Sequence, residues 1–358
     1  MTIINETEND TSRDMEDQKI TTIAQVARAA GVSIATVSRF LRGETVRAAA
    51  SIEATIEQLN YRPTLAARSL RSGIHYVIAM IVPDITNPYF SALAKGVESV
   101  FRETPYRVFL CNTDEQDLIE DAVLDEIIHR VDGIILAPTV EREESPAQIR
   151  KQGVPVVLVD RELADKSFDS VLIDNGGGAR SAARYLCELG HTEIAIISGS
   201  LSNTPGRVRY NGFMEELKRN KIVPDQSFIQ FSNFKEAGGR NAMRELMCLP
   251  KPPTAVFCAN NAMMVGALKI LKEMGVVIGR DLSVIGFDDL DLGSLLDPPL
   301  TVVDRPSEEQ GIQAARLLLK RLSGISNERP EHIVLSTKLI VRASCAPPTI
   351  KLHAGDHP

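Results

Sequence analysis

Ile34, Ala35, Ser38 and Arg39, with Thr36 beside them, recur at helical spacing inside the run TIAQVARAAGVSIATVSRFL, Thr22 to Leu41. Small apolar groups can meet a thymine methyl, hydroxyls can bond phosphates, and an arginine can fork onto a guanine. Such a face suits a helix lying in a DNA major groove. The same residues show the elements that must position it. Ile23, Val26, Ala27 and Ala30 fall at i, i+3, i+4 and i+7, on one face of a first helix. Gly31 can turn the corner with φ > 0. Ser33 is placed to cap a second helix, in which Val37, Phe40 and Leu41 continue the buried face. A third amphipathic helix carrying Ile52, Ile56 and Leu59 closes the bundle, a helix-turn-helix head followed by YRPTLAARSLRS. From Lys19 to Arg71, eight basic residues stand against three acidic ones, a net of +5 that suits phosphate binding.

A second set of chemically able residues recurs at the ends of apolar runs. Asp84 and Asn87 follow YVIAMIV (76–82), and Asp160 and Arg161 end PVVLVD (155–160). Asn260 and Asn261 follow AVFCA (255–259), and Asp288 and Asp289 end SVIGFDD (283–289). Carboxylates, amides and a forked arginine can hold several hydroxyls at once, so a polyhydroxylated ligand fits. Asp or Asn after a strand is also a common helix cap; Asp174, Asn175 and Asn261 are candidates for that role alone. Recurrence at successive strand ends favours a cleft. The remaining strands expected are 107–111, 133–138, 171–174, 194–199, 228–231 and 333–342, alternating with periodic helices such as 90–102, 206–220, 262–274 and 306–322. Continuous apolar strands between helices imply parallel sheets covered on both faces, and the length requires two α/β lobes.

The 358 residues carry a net charge of −7, unevenly distributed. Residues 1–18 hold six acidic residues and one arginine, with no periodicity, and read as a disordered acidic tail. A basic head on an acidic body argues for one DNA-facing module rather than a surface coated by nucleic acid. The opening has no apolar leader and no run is long enough to span a membrane, so a cytoplasmic protein is expected. Five scattered cysteines, with no C-x-x-C, point to reduced thiols and no zinc site; no cofactor is expected. Gly176–Gly178 lacks the spacing of a phosphate-binding loop, and no histidine sits in a nucleophile context. His191, after Leu189–Gly190, reads as a cation near a helix end.

With these residues in hand, the chain resembles the lac repressor family of bacterial transcription regulators from Thr22 to about Arg342. Besides the head, IVPDITNPYF, VDGIILAP, VDRE, DNGGGA, LGHTEIAIISG, RVRYNGF, CANNAMMVGALK and SVIGFDDLDLGSLLDPPLTVV fall in that family's order. The resemblance implies a body similar to periplasmic sugar-binding proteins, with two lobes and crossovers near Asp174, near Asp304 and around Arg329. It implies that Ile34, Ala35 and Arg39 face base edges and that Thr22, Thr36 and Ser38 lie near phosphates. Leu70 would be wedged into the minor groove from a hinge helix. That helix, from Thr64 to Leu70, is too short to stand alone in water and should order on DNA. Ser33 and Arg68 complete the DNA-facing set. Around the effector the resemblance implies Asn87, Tyr89, Phe90, Asp160, Arg161, Arg209, Asn260 and Asp288, with Tyr89 and Phe90 able to stack on a sugar ring. Arg209 would otherwise read as an ordinary helix-surface arginine.

Two departures from the family stand out. LRGETVRAAAS is shorter by about two residues before the third helix and lacks a Ser-x-x-Thr start. Asn261 stands where many members have aspartate. The tail after Arg342 has prolines and no heptad, so a dimer is expected. The expected organisation is a tail (1–18), head (19–62), hinge and linker (63–74), two-lobed body (75–342) and tail (343–358). The expected function is a repressor that binds a pseudo-palindromic operator as a homodimer under the control of a sugar-like effector, not an enzyme. A sugar receptor without a DNA role would require a leader and no basic head. A doubly wound enzyme would require a catalytic constellation at the strand ends.

Overall fold

The computed structural model describes residues 21–61, 74–141, 149, 151–164, 166–290, 292–324 and 329–348. The acidic tail, the hinge helix and its Arg68 and Leu70 lie outside the described residues. The chain divides into two compact units, Met1–His75 and Tyr76–Pro358.

In the head, α1 (Ile23–Ala29) starts in a capping box. The Gln25 N–H donates to Thr22 Oγ1 (3.4 Å), and the Thr22 N–H donates to Gln25 Oε1 (2.7 Å). Gly31 turns the corner at φ +68°. The hydroxyl of Ser33 accepts from the Thr36 N–H (3.2 Å) and caps α2 (Ile34–Leu41). The third helix, α3 (Ala49–Gln58), begins at Ala48 with no side-chain cap. Val26, Ala27, Val37, Ile52 and Tyr61 form the core. Two expectations need correction. Ser38 is buried against the bundle rather than on the outer face, and Leu41 is exposed rather than buried. Residues 34, 37, 38 and 41 share one stripe of α2. The bundle covers only its middle turn, so Val37 and Ser38 bury while Ile34 and Leu41 emerge at either end.

The body builds two sheets from one strand–helix rhythm. Its first lobe contains β1 (Val77–Val82), α4 (Pro88–Phe101), β2 (Arg107–Asn112), α5 (Asp117–Ile127), β3 (Gly133–Leu136), β4 (Val156–Val159) and β5 (Asp169–Ile173). The second contains α6 (Asn175–Glu188), β6 (Ile194–Ser198), α7 (Thr204–Arg219), β7 (Ile229–Phe231), α8 (Glu236–Met247), β8 (Ala255–Cys258), α9 (Asn261–Glu273), β9 (Ser283–Phe287) and β10 (Thr301–Asp304). Then α10 (Ser307–Leu322) returns to the first lobe, β11 (His332–Leu335) extends its sheet, and β12 (Lys338–Ile340) closes the second. The sheet orders are β11-β5-β4-β3-β1-β2, all parallel, and β12-β10-β9-β8-β6-β7, parallel except β12 against β10. Central strands such as β1, β3 and β8 are buried nearly throughout, as two-sided covering requires.

The chain thus passes between lobes after Ile173, after Asp304, and at Ser336–Thr337. The third passage corrects the expectation near Arg329, and the run 333–342 is two strands rather than one. Because α10 lies on the first sheet, the segment after it joins β5 before it crosses. The first-lobe core includes Leu93 and Val97 of α4 with Ala314 and Leu318 of α10. There α4 and α10 approach through Gly96 and Gly311. A Cβ at Gly96 would stand 2.0 Å from the Glu308 carbonyl oxygen, and one at Gly311 would stand 2.1 Å from that of Leu93. His191 is buried rather than a helix-end cation: Nε2 donates to the Ala346 carbonyl (2.9 Å) and Nδ1 bonds Thr254 Oγ1 (2.9 Å). Ser344 is buried too, so residues 343–348 belong to the second lobe rather than to a tail. No helix among the described residues is long and apolar enough to cross a membrane.

Candidate DNA-reading face and effector cleft

On the head, Ile34, Ala35 and Arg39 stand exposed on α2, with Thr36 half-buried beside them and Ser33 and Thr22 at the helix starts. Arg39 does not wave freely. Its Nε donates to Glu44 Oε2 (2.8 Å), while Nε of Arg42 donates to Glu44 Oε1 (2.8 Å). The hydrogen bond from Arg39, then that from Arg42, holds the Glu44 carboxyl below the usual range. An exposed trio like this adds little stability, but it sets the direction in which Arg39 extends. Sequence reasoning counted Glu44 only as a charge.

In the body, the strand-end residues converge on one cleft between the lobes. Asp160 follows β4 and Asp288 follows β9, at corresponding places in the two lobes. Both adopt the left-handed region, at φ 63° and 74°, which a short polar side chain tolerates. Both are buried, and one guanidinium joins them. Arg305 Nη1 donates to Asp160 Oδ1 (2.7 Å) and Nη2 donates to Asp288 Oδ2 (3.0 Å). Arg305 Nε is 2.6 Å from Asp288 Oδ1, an ionic contact out of line for a hydrogen bond. The guanidinium carbon lies 3.2 Å above the centre of the Tyr89 ring, and the Tyr89 hydroxyl donates to Gln310 Oε1 (2.9 Å). Burial opposes the charge on Arg305, but Asp288, then Tyr89 and Asp160, outweigh it and raise its pKa.

Arg209 is fully buried rather than a surface residue. Its Nε donates to Asn175 Oδ1 (2.7 Å), Nη1 to the Ala259 carbonyl (2.6 Å), and its guanidinium carbon lies 3.6 Å from the Phe287 ring centre. Nη2 has no hydrogen-bond partner among the described residues. Burial first, then the like charge of Arg305, pulls its pKa down to about 10. It is a buried cation with only neutral hydrogen-bond partners, which leaves it a donor to offer a ligand.

The other expected residues line the cleft with their polar groups already engaged. Arg161 turns its fork away, to Glu115 (2.6 and 2.9 Å) and the carbonyls of Pro138 and Thr139; only Nε is unbonded, 3.7 Å from Asp160 Oδ2. Asn87 caps α4 through the Tyr89 N–H (3.1 Å) and also accepts from Asn261 Nδ2 (3.0 Å). Asn260 caps α9 through the Met263 N–H (2.9 Å) and donates to the Phe234 carbonyl (3.0 Å). Phe90 is buried beside Tyr89, the ring centres 4.7 Å apart. Five residues of the cleft went unforeseen: Glu115, Pro205, Phe234, Lys235 and Arg305. Lys235 of the second lobe reaches Asp84 (2.8 Å) and Asp114 (3.3 Å) of the first. Arg305 would have been found by the strand-end rule had TVVD, the short strand β10, been recognised after its two prolines. Among the described residues no cluster of His, Cys, Asp and Glu could hold a metal ion.

Comparison with known proteins agrees with this geometry. Residues 22–64 match the family described as bacterial regulatory proteins, lacI family, and residues 183–345 match a periplasmic binding protein-like domain. The ribose operon repressor of Escherichia coli strain K12 is 35% identical over 307 residues, 84% of this chain and 93% of the relative. A solved LacI family transcriptional regulator from Enterococcus faecium with bound ribose is 30% identical with a TM-score of 0.69, covering 76% of this chain and all of that one. The lac repressor dimer bound to operator superimposes with a TM-score of 0.77 at 24% identity, covering 92% of this chain and 100% of its own, and supports the fold.

Proposed function

The chain belongs to the lac repressor family of bacterial transcription regulators, and from that premise we propose that its effector is an uncharged sugar of pentose size, ribose being the first candidate. It is a DNA-binding repressor that acts as a homodimer on operator DNA and answers to a small ligand in the body. The observation that carries the sugar reading is the pair Asp160 and Asp288, buried at corresponding strand ends and facing each other beside the Tyr89 ring. Two carboxylates and the spare donor of Arg209 match the hydroxyls of a sugar, and an aromatic face matches its ring. The names of the relatives point the same way: one represses a ribose operon, and another was solved with ribose bound.

On the head, Ile34, Ala35 and Arg39 read base edges, while Thr22, Ser33 and Thr36 hold phosphates; Leu70 and Arg68 act from the hinge. Two heads meet two half-sites, so the operator is a pseudo-palindrome. Ligand binding changes the relative orientation of the lobes and with it the fraction of dimers competent for DNA. The protein acts by binding rather than by turnover, in the cytoplasm where the chromosome lies. Titration calorimetry with ribose, other pentoses and hexoses tests the effector. Selection from a random duplex library tests the head: a two-fold enriched sequence supports the reading, and no enrichment with or without ribose overturns it.

A further inference from the structure

We propose that Arg305 is a built-in occupant of the effector cleft, a side chain that bridges Asp160 and Asp288 across the lobes until an uncharged sugar displaces it. The inference rests on the cleft being the effector site. The guanidinium does what a sugar there would do. Its central carbon lies 3.2 Å over the Tyr89 ring centre, it donates to both carboxylates, and it is buried. With Arg305 in place the cleft keeps a cavity of about 30 Å³. That holds a water or two, not a sugar. The effector and the inserted guanidinium therefore compete for the same carboxylates and the same aromatic face.

Its position allows the exchange. Arg305 follows β10 directly at the second interlobe passage, with Pro306 next, so backbone rotation at the crossover carries the side chain with it. Separation of the lobes also parts Asp160 from Asp288, and no single guanidinium can then hold both. Other contacts between lobes, Lys235 to Asp84 and Asp114, Asn261 to Asn87 and Glu141 to Thr204 and Arg207, are less buried than this bridge.

Charge decides the class of ligand. Asp160 and Asp288 face Arg305 and Arg209, a neutral set. Once Arg305 leaves, Asp160 and Asp288 remain beside Arg209 and the Glu115-paired Arg161, a set one negative charge in excess. A sugar acid or a sugar phosphate would add a further negative charge to that set, whereas a neutral polyol brings donors alone. Arg305 thus filters for uncharged sugars and lowers apparent affinity by the fraction of molecules in which it is inserted.

Full-length wild type, Arg305→Gln and Arg305→Lys are compared by calorimetry with ribose and ribose 5-phosphate, and by hydrogen exchange without sugar at the crossover segments around 174, 305 and 337. Arg305→Gln should bind ribose about tenfold tighter, and its crossover segments should exchange faster than wild type. Arg305→Lys, which keeps the charge and checks folding, should fall between the two. No variant should prefer the phosphate ester. Weaker ribose binding by Arg305→Gln, or crossover exchange unchanged by the substitution, overturns the proposal. If no variant binds any sugar, the effector reading fails and exchange alone decides whether Arg305 bridges the lobes.

Discussion

In the head, Ile34, Ala35 and Arg39 stand in water on a bundle whose core is five buried apolar side chains. In the body, Asp160, Arg209, Asp288 and Arg305 are all buried, between two sheets with extensive cores of their own. An exposed reading face needs little beyond correct helix directions, because water satisfies its polar groups until DNA replaces it. A buried polar cleft must satisfy every group from within, and each mismatch is costly. This difference separates what variants of the two units should do. Operator affinity reports on the head, and chemical unfolding followed by circular dichroism is dominated by the larger body.

The largest effect is expected from Asp288→Ala, which leaves Arg305 buried with one partner. Breaking such a pair costs about 3–5 kcal/mol, and opening of the cleft to water should bring the loss to about 3 kcal/mol. Urea unfolding should show it as a lower midpoint. An unchanged midpoint would mean that the bridge is solvated and that the contrast with the head is weaker than drawn. Next comes Arg39→Ala, expected to cost about 1–3 kcal/mol of operator affinity at one base position of each half-site, with no shift in the body's unfolding. Uniform loss across all sequences would reduce Arg39 to a phosphate contact.

The two units also differ in how much the sequence discloses. The head is local: the cap at Ser33, a positive-φ glycine at 31 and a helical stripe are all readable over forty residues, and the structure adds a cap at Thr22. Its errors have two sources: Leu41 came from extending the buried stripe past the one turn that the partner helices cover, and Ser38 from giving a hydroxyl within that turn to the outer face. In the body, ten apolar runs announced every strand but β10, the last run standing for both β11 and β12, and their carboxyl ends announced Asp160 and Asp288. The strand β10 escaped because four residues after two prolines carry no period, and with it went Arg305. Partner choice was equally hidden. Nothing local tells that Arg161 turns to Glu115, or that Asn87 and Asn260 spend their oxygens on helix caps. Those are decisions made by residues distant in sequence.

A smaller, pH-dependent difference follows from His191, since residues 21–61 contain no histidine. Burial holds the His191 pKa below its usual 6.5, against the bond to Ala346, which raises it. Just below pH 6.5 the unfolded chain therefore binds more protons than the folded body. The contribution to stability is full above 6.5 and declines as pH falls toward the folded value. His191→Gln should flatten that part of the body's stability profile while leaving the pH dependence of operator binding unchanged. A profile identical to wild type would assign the acid sensitivity elsewhere.

The smallest effect tests the thin end of the comparison, the head's uncapped third helix. Ala48 precedes α3 with no side-chain acceptor: the Ala49 N–H reaches the Val46 carbonyl (3.3 Å), and no side chain caps the N–H groups that follow it. The residue is half-buried against the core, and a serine is only one oxygen larger than alanine. Ala48→Ser should stabilise the head by about 0.5–1 kcal/mol if the backbone relaxes from ψ 23° toward the extended cap conformation. Thermal unfolding of the isolated body would not be touched, and operator affinity should rise only as far as the head is partly unfolded when free. A loss of stability would show that the shortened turn holds Ala48 in its present conformation. The missing cap would then be the direct consequence of the two-residue deletion, and not a defect that substitution can repair.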